Sequence, residues 1–329
     1  MPVKARAPGK LVVLGEYAVL AGADALVMAV DRHCTAEIGP CAERLCRLET
    51  WAPTRAVARF EPAAPSGVGL VDHVVRELPA RDPGGAWAAR IDTRPFFVDD
   101  RKLGLGSSAA ALCAFASCWA VQTGRTAPSV ETLIQCHRAF QGGVGSGLDV
   151  AAAVTGGVIQ YRIDPGAEAV IGSVRLPNSV GFAGVFTGIS AKTLDFVEQF
   201  ERWRSARPAE SGSLLDTLRG VSETGCAAAR EGDALAFLGA IERYAEQLER
   251  LGQLIGREIV TAPHREVGAL ARRFGVVYKT SGAGGGDLGL AFCSDDSALA
   301  DFGKAVRAAR FDWVELGIDQ DGLVIEEQV

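Results

Sequence analysis

The run Lys102-Leu103-Gly104-Leu105-Gly106-Ser107-Ser108-Ala109-Ala110-Ala111 leads without a break into an apolar stretch that continues to Gln122. Glycines here let backbone N–H groups turn towards an anion, and a following helix adds the positive end of its dipole. Ser107 and Ser108 stand where hydroxyls can cap that helix, donate to phosphate or ligate Mg²⁺. No lysine follows the glycines, so the run is not the GxxxxGK[ST] phosphate loop. Taken alone it reads either as a phosphate-binding turn or as a Gly/Ser-capped helix.

Working outward, the spacing predicts helices over 107–122, 130–140 and 148–154, the last two separated by Gly142-Gly143. Strands are expected at Leu11–Leu14, Ala25–Val30 and Val158–Tyr161. Residues 40–100 resist assignment because Pro53, Pro62, Pro65, Pro79, Pro83 and Pro95 interrupt them, although Val68–Leu78 has helical spacing. The second half alternates strands (180–186, 276–279, 288–293) with helices (194–204, 214–230, 234–251, 263–274, 298–309). Pro165-Gly166 and Pro177-Asn178 mark a boundary, giving expected domains of residues 1–175 and 176–329. The mixture is α/β or α+β and favours segregated α+β.

Two further stretches carry chemistry. Lys279-Thr280-Ser281-Gly282-Ala283-Gly284-Gly285-Gly286-Asp287 lies between two strand-like runs, and its glycines allow either close approach to a ligand or a flexible turn. Arg6-Ala7-Pro8-Gly9-Lys10, followed by Gly15-Glu16-Tyr17-Ala18-Val19, puts a cation at the mouth of an apolar strand. In isolation, Lys10 reads as readily as a surface lysine.

The bulk numbers set limits. The chain has 329 residues, 48% apolar and 22% charged, which suits a globular protein of two units with a sizeable core. A net charge of −6 gives no reason to expect nucleic acid or an anionic membrane as partner, and any anionic substrate must be met by local cations. The eight cysteines form no CxxC pair, which fits a reducing cytosol. No signal peptide and no membrane-spanning run is expected, so the chain reads as cytoplasmic, as monomer or homodimer.

The joint occurrence and order of the three stretches resembles the GHMP kinases, the family of galactokinase, homoserine kinase, mevalonate kinase and phosphomevalonate kinase. The family's motifs look like Ala7–Val19, Leu103–Ala111 and Lys279–Asp287 here. The resemblance implies a two-domain fold, with an N-terminal ribosomal-S5-like α/β domain and a C-terminal ferredoxin-like α+β domain. It also implies ATP and Mg²⁺ as cofactors and a small anionic molecule as substrate. Gln141 to Ala153, reading QGGVGSGLDVAAA, and Thr187 to Thr193 are most similar to the phosphomevalonate kinase branch. Gly-Glu-Tyr at 15–17 stands where mevalonate kinases usually have Gly-Glu-His.

Carried over residue by residue, the resemblance assigns Lys10, Lys102 and Asp149 to catalysis. It assigns Gly104, Leu105, Gly106, Ser107, Ser108 and Ala109 to the nucleotide, with Ser108 also as the metal ligand. Lys10, Tyr17, Ser146, Gly147, Ser190, Lys192, Ser281, Gly282, Ala283 and Gly284 fall to the substrate. Two departures stand out. A lysine found in the QGKVGSG run of some relatives is Gly143 here. The glutamate that mevalonate kinases place ahead of Asp149 as a metal ligand is missing, and His137 and Arg138 occupy that neighbourhood. A serine or single carboxylate with waters is the expected Mg²⁺ shell. Small-alcohol kinases, diphosphomevalonate decarboxylase and a non-catalytic nucleotide-binding regulator are the competing expectations.

Overall fold

A computed structural model describes residues 1–81, 85–163, 168–188 and 193–327. Pro83, Pro165, Gly166, Ser190 and Lys192 lie outside the described residues.

The chain opens with β1 (Val3–Leu14) and β2 (Ala25–Pro40), then β3 (Cys46–Trp51), β4 (Arg55–Phe60), α1 (Gly69–Glu77), β5 (Trp87–Asp92), β6 (Phe97–Val98) and β7 (Arg101–Lys102). Then come α2 (Ser107–Gln122), α3 (Val130–Phe140), α4 (Leu148–Thr155), β8 (Val158–Ile163) and β9 (Ala169–Val174). The second half holds β10 (Gly181–Phe186), α5 (Thr193–Ala206), α6 (Pro208–Glu231), α7 (Ala234–Ile255), α8 (Ala262–Arg272), β11 (Val277–Thr280) and β12 (Leu288–Cys293). It ends with α9 (Asp296–Ala308), β13 (Asp312–Val314) and β14 (Val324–Glu327).

The long β2 organises the first sheet. One edge pairs antiparallel with β1; the other pairs with β8 through Ala25–Met28 and with β5 through Thr35–Pro40. The residues between those two partners, Asp31 to His33, face the break in register at Pro8/Gly9 on β1. Pro8 has no N–H for a ladder, so a strand interior accepts it where the pairing is irregular. Beyond β5 the sheet continues through β3 and β4, and β14 returns from the far end of the sequence to pair with β1.

Helix α2 lies against this sheet. Every residue from Ala109 to Ala120 is buried, because alanines let the helix approach the strands closely while Phe115 and Trp119 fill the gaps. The eight cysteines are unpaired and all but Cys41 are buried, where they act as small hydrophobes. A second, antiparallel sheet runs β11-β12-β10-β13. Helices α8 and α9 and β13 enclose a separate core there, with Phe302 at its centre. The architecture is α+β, with sheet-and-helix layers in each half.

Among the described residues, four strands within 40–100, β3 to β6, do not follow from the sequence pattern. β4 shows why: only Phe60 of its six residues is buried, so a cross-strand ladder to β3, and not an apolar pattern, forms it. Trp51 of β3 carries a cover of arginines, with the Arg94 guanidinium 4.5 Å from its ring centre. Among the described residues no helix is long and apolar enough to cross a membrane.

Candidate active site

Four stretches remote in sequence meet at one cleft. Its lining includes Lys10 and Tyr17, Gly104, Ser146 and Asp149, and the run Ser281 to Gly284.

Strand β1 delivers Lys10 and grips the glycine-rich turn. The Lys10 N–H donates to the Leu105 carbonyl at 2.8 Å. One residue earlier, a Cβ on Gly9 would stand 2.7 Å from that same carbonyl oxygen and 2.8 Å from the Phe96 ring, so only glycine lets the turn lie on the strand. Leu105 itself is fully buried and offers a ligand only its backbone. Gly106, at φ +76°, caps α2 in the left-handed region, and the Lys10 side chain runs across its open face: a Cβ there would be 3.1 Å from the lysine Cγ. Ser107 is buried and Ser108 half-buried at the first turn of α2. Lys102, on β7 just ahead of the turn, is exposed and does not line the cleft.

The third glycine run interlocks with the second. At Gly104 (φ +77°), a Cβ would collide with the Asp287 side chain at 2.5 Å. Asp287 adopts φ +59°, and its carbonyl accepts from the Thr187 N–H and hydroxyl, both at 3.3 Å. Two of these glycines also serve packing. A Cβ on Gly284 would meet the Ile259 carbonyl at 2.5 Å, and one on Gly285 the Phe196 ring at 2.2 Å. Those two exist to let α5 and the residues before α8 pack on the loop, whereas Gly282 has open space before it. From behind, His264 braces the loop: Nε2 donates to the Gly286 carbonyl at 3.1 Å, which leaves Nδ1 to accept from the Tyr278 hydroxyl at 2.7 Å. Burial lowers its pKa from 6.5 to about 4.

The first and third stretches are tied by polar groups. Ser281 Oγ accepts from the Val12 N–H at 2.9 Å and donates to the Val12 carbonyl at 3.0 Å. Tyr17, buried against Phe200, donates its hydroxyl to the Ala283 carbonyl at 2.5 Å. Burial raises the Tyr17 pKa, with the Glu16 charge adding to the effect, so the phenol stays a donor. Lys279 forms an ion pair with Glu16. Burial lowers the lysine's pKa while the carboxylate opposes that shift.

The turn before α4 is also pinned. Arg138 donates to the carbonyls of Gly145 at 3.1 Å and Ser146 at 2.8 Å, and the Tyr161 hydroxyl donates to Ser146 O at 2.6 Å. Gly147 is held at φ +81°, where a Cβ would meet Ile134 at 2.6 Å. Ser146 Oγ accepts from the Leu148 N–H at 3.4 Å, just ahead of Gly147, the N-cap of α4. Asp149 follows in the first turn, its Oδ1 taking the Val150 N–H at 3.0 Å. His137, a residue the sequence reading had noted only as a neighbour, stands between Asp149 and Ser108.

Among the described residues no group of three or more His, Cys, Asp and Glu is arranged to hold a metal. Ser108 Oγ and the Asp149 carboxylate, flanking His137 on two sides, are hard oxygen donors. Oxygen donors of this kind suit Mg²⁺, which keeps most of its waters, better than a softer ion.

No family model matches the chain. Among curated proteins it is 25% identical to a phosphomevalonate kinase of Saccharolobus solfataricus, covering 89% of this chain and 91% of that one. It is 28% identical to a phosphomevalonate kinase of Streptomyces sp., covering 89% and 90%. A mevalonate kinase of Methanothermobacter thermautotrophicus is 27% identical over 94% and 97%. The fold matches a Lin0012 protein from Listeria innocua with a TM-score of 0.88, at 21% identity and 100% of both chains. It matches Streptococcus pneumoniae phosphomevalonate kinase, in complex with phosphomevalonate and AMPPNP, with a TM-score of 0.81, at 18% identity over 96% and 99%. The curated relatives that the chain resembles are phosphomevalonate and mevalonate kinases, and its fold is shared with a phosphomevalonate kinase of known structure.

Proposed function

We propose that the protein transfers the γ-phosphoryl group of ATP to 5-phosphomevalonate, giving 5-diphosphomevalonate. The observation that carries this reading is the convergence of Lys10, Gly104 at the head of the glycine-rich turn, Asp149 and Ser281–Gly284 on one cleft. Phosphomevalonate kinases among the relatives, aligned over about nine-tenths of both chains, support it.

Phosphoryl transfer asks a protein for positioning and charge neutralisation more than for covalent chemistry. In this reading the backbone N–H groups of the turn and the start of α2 hold the nucleotide's phosphates. Lys10, steadied along Gly106, sits between that turn and the acceptor. Ser108 holds the metal with the help of Asp149; Mg²⁺, when bound, supplies positive charge to the β- and γ-phosphates. Ser146, Gly147 and Gly282 present hydroxyl and backbone donors to the acceptor, and Lys102 contributes charge only from outside the lining. Tyr17 acts by shaping the wall, since its hydroxyl is spent on Ala283.

A phosphate monoester with a second pKa near 6 is already largely dianionic at neutral pH. The obstacle is repulsion between two anions, so Lys10 carries more of the work than proton removal by Asp149 does.

The test is an ADP-release assay with ATP and Mg²⁺, offering 5-phosphomevalonate, mevalonate, homoserine and galactose in parallel. Turnover on 5-phosphomevalonate alone is expected. Turnover on mevalonate in its place would overturn the phosphate acceptor and favour a second reading, mevalonate kinase, which the Methanothermobacter relative keeps in view.

A further inference from the structure

His137 is 1% exposed, on the inner face of α3. Its Nε2 stands 3.4 Å from Ser108 Oγ in the first turn of α2. Its Nδ1 stands 3.8 Å from Asp149 Oδ1 in the first turn of α4. The Phe140 ring, stacked with its centre 6.5 Å away, limits rotation of the imidazole. One neutral tautomer serves both neighbours: the proton on Nδ1 faces the carboxylate, and Nε2 accepts the serine O–H. A free hydroxyl rotates among staggered positions, whereas one whose hydrogen is committed to Nε2 has a fixed pair of lone-pair directions.

We propose that His137 is a positioning residue for the nucleotide and metal site: it fixes the Ser108 hydroxyl and the Asp149 carboxylate in one arrangement and acts through them. The inference rests on the roles given to Ser108 and Asp149 above. The hard ion is held by oxygens, and the ring orients them.

The experiment uses the full chain and needs no acceptor, so it stands apart from the acceptor assay. Binding of the non-hydrolysable analogue AMPPNP is measured with Mg²⁺ and with EDTA, for His137→Ala, Ser108→Ala and the double variant. His137→Ala is expected to weaken Mg²⁺-dependent binding about tenfold, the usual cost of losing a partner that orients a metal ligand. In the Ser108→Ala background the same change should cost less than about twofold, because coupled residues are not additive. Equal losses in both backgrounds, a loss that persists in EDTA, or no loss would each overturn the proposal. Should His137→Ala fail to fold, ¹⁵N spectra of the histidine rings give an independent answer. Ser108→Ala should then shift one His137 nitrogen and Asp149→Asn the other; no shift from either substitution overturns the proposal.

Discussion

Lys279 on β11 and Glu16 after β1 meet as a fully buried ion pair, 263 positions apart in sequence and with 0% and 2% of their side chains exposed. It joins the strand that leads into the third glycine run to the segment that follows Lys10. Around it, the Tyr244 hydroxyl donates to the Glu16 carbonyl at 2.7 Å, and the ammonium also reaches the Val12 carbonyl at 3.4 Å. Removing one partner leaves the other charge buried and unpaired. Glu16→Ala is therefore expected to lower stability by about 3–5 kcal/mol. Glu16→Gln with Lys279→Met should recover much of that loss. Urea titrations of the three proteins check it, and equal stability of the single and double variants would contradict it.

A second expectation concerns the division of labour at the cleft. Lys10→Met should lower kcat by about 100- to 1000-fold, the range seen when one charge-stabilising donor is lost. Asp149→Asn should cost less on 5-phosphomevalonate, under about 100-fold, which is the low end for loss of a general base. Steady-state kinetics of both variants decide it: a larger loss from Asp149→Asn would return proton abstraction to the centre of the mechanism.

Gly9 predicts a remote effect. Its φ is ordinary, so Gly9→Ala carries no dihedral penalty, yet its methyl would press on the Leu105 carbonyl and push the turn off β1. A shift of that kind is expected to reduce kcat/KM by about 100-fold with the nucleotide turn displaced. Gly142→Ala, in open space at φ +79°, serves as the contrast: it strains the backbone without touching the turn. A Gly9 variant as active as the Gly142 variant would disprove the clamp.

His264 gives a pH dependence whose sign is fixed by its environment. In the fold the neutral ring is held by Gly286 and Tyr278, and its pKa falls from 6.5 to about 4. Between those values the unfolded chain binds the proton and the folded chain does not. This contribution is therefore complete above pH 6.5 and is lost as pH falls towards 4, to a total of about 3 kcal/mol. Stability of His264→Gln should vary less over that interval, as denaturant midpoints at pH 7, 5.5 and 4.5 would reveal.

Much of the helical framework was legible because its punctuation is local. α2 and α3 begin and end at the residues expected from the sequence, since Gly106, the Ser129 cap and Gly142 are signals within a few positions of each boundary. The gathering of Lys10, Asp149 and Ser281–Gly284 in one cleft also followed from the motifs. Other features depend on contacts that spacing does not encode. Gly285 looks like a ligand-facing residue in sequence but makes room for Phe196, and Gly284 lines the cleft while its Cβ side packs on Ile259. Lys102 looks like a cleft cation but points to solvent on β7. Lys279 resembles an exposed motif lysine, and only the fold supplies its partner, Glu16. His137 offered a local hint in the missing glutamate, while the two oxygens it faces come from other helices.

The pairing of β14 with β1 has a consequence for how the molecule is made. Val3 to Arg6 find their partners at Val324 to Glu327, so the outer edge of the first sheet stays open until β14, far along the sequence, has been synthesised. Contacts closed over so long a loop form late and slowly. Meanwhile the bare β1 edge is a template for pairing with another chain. Newly made protein is thus most prone to associate with itself until β14 docks.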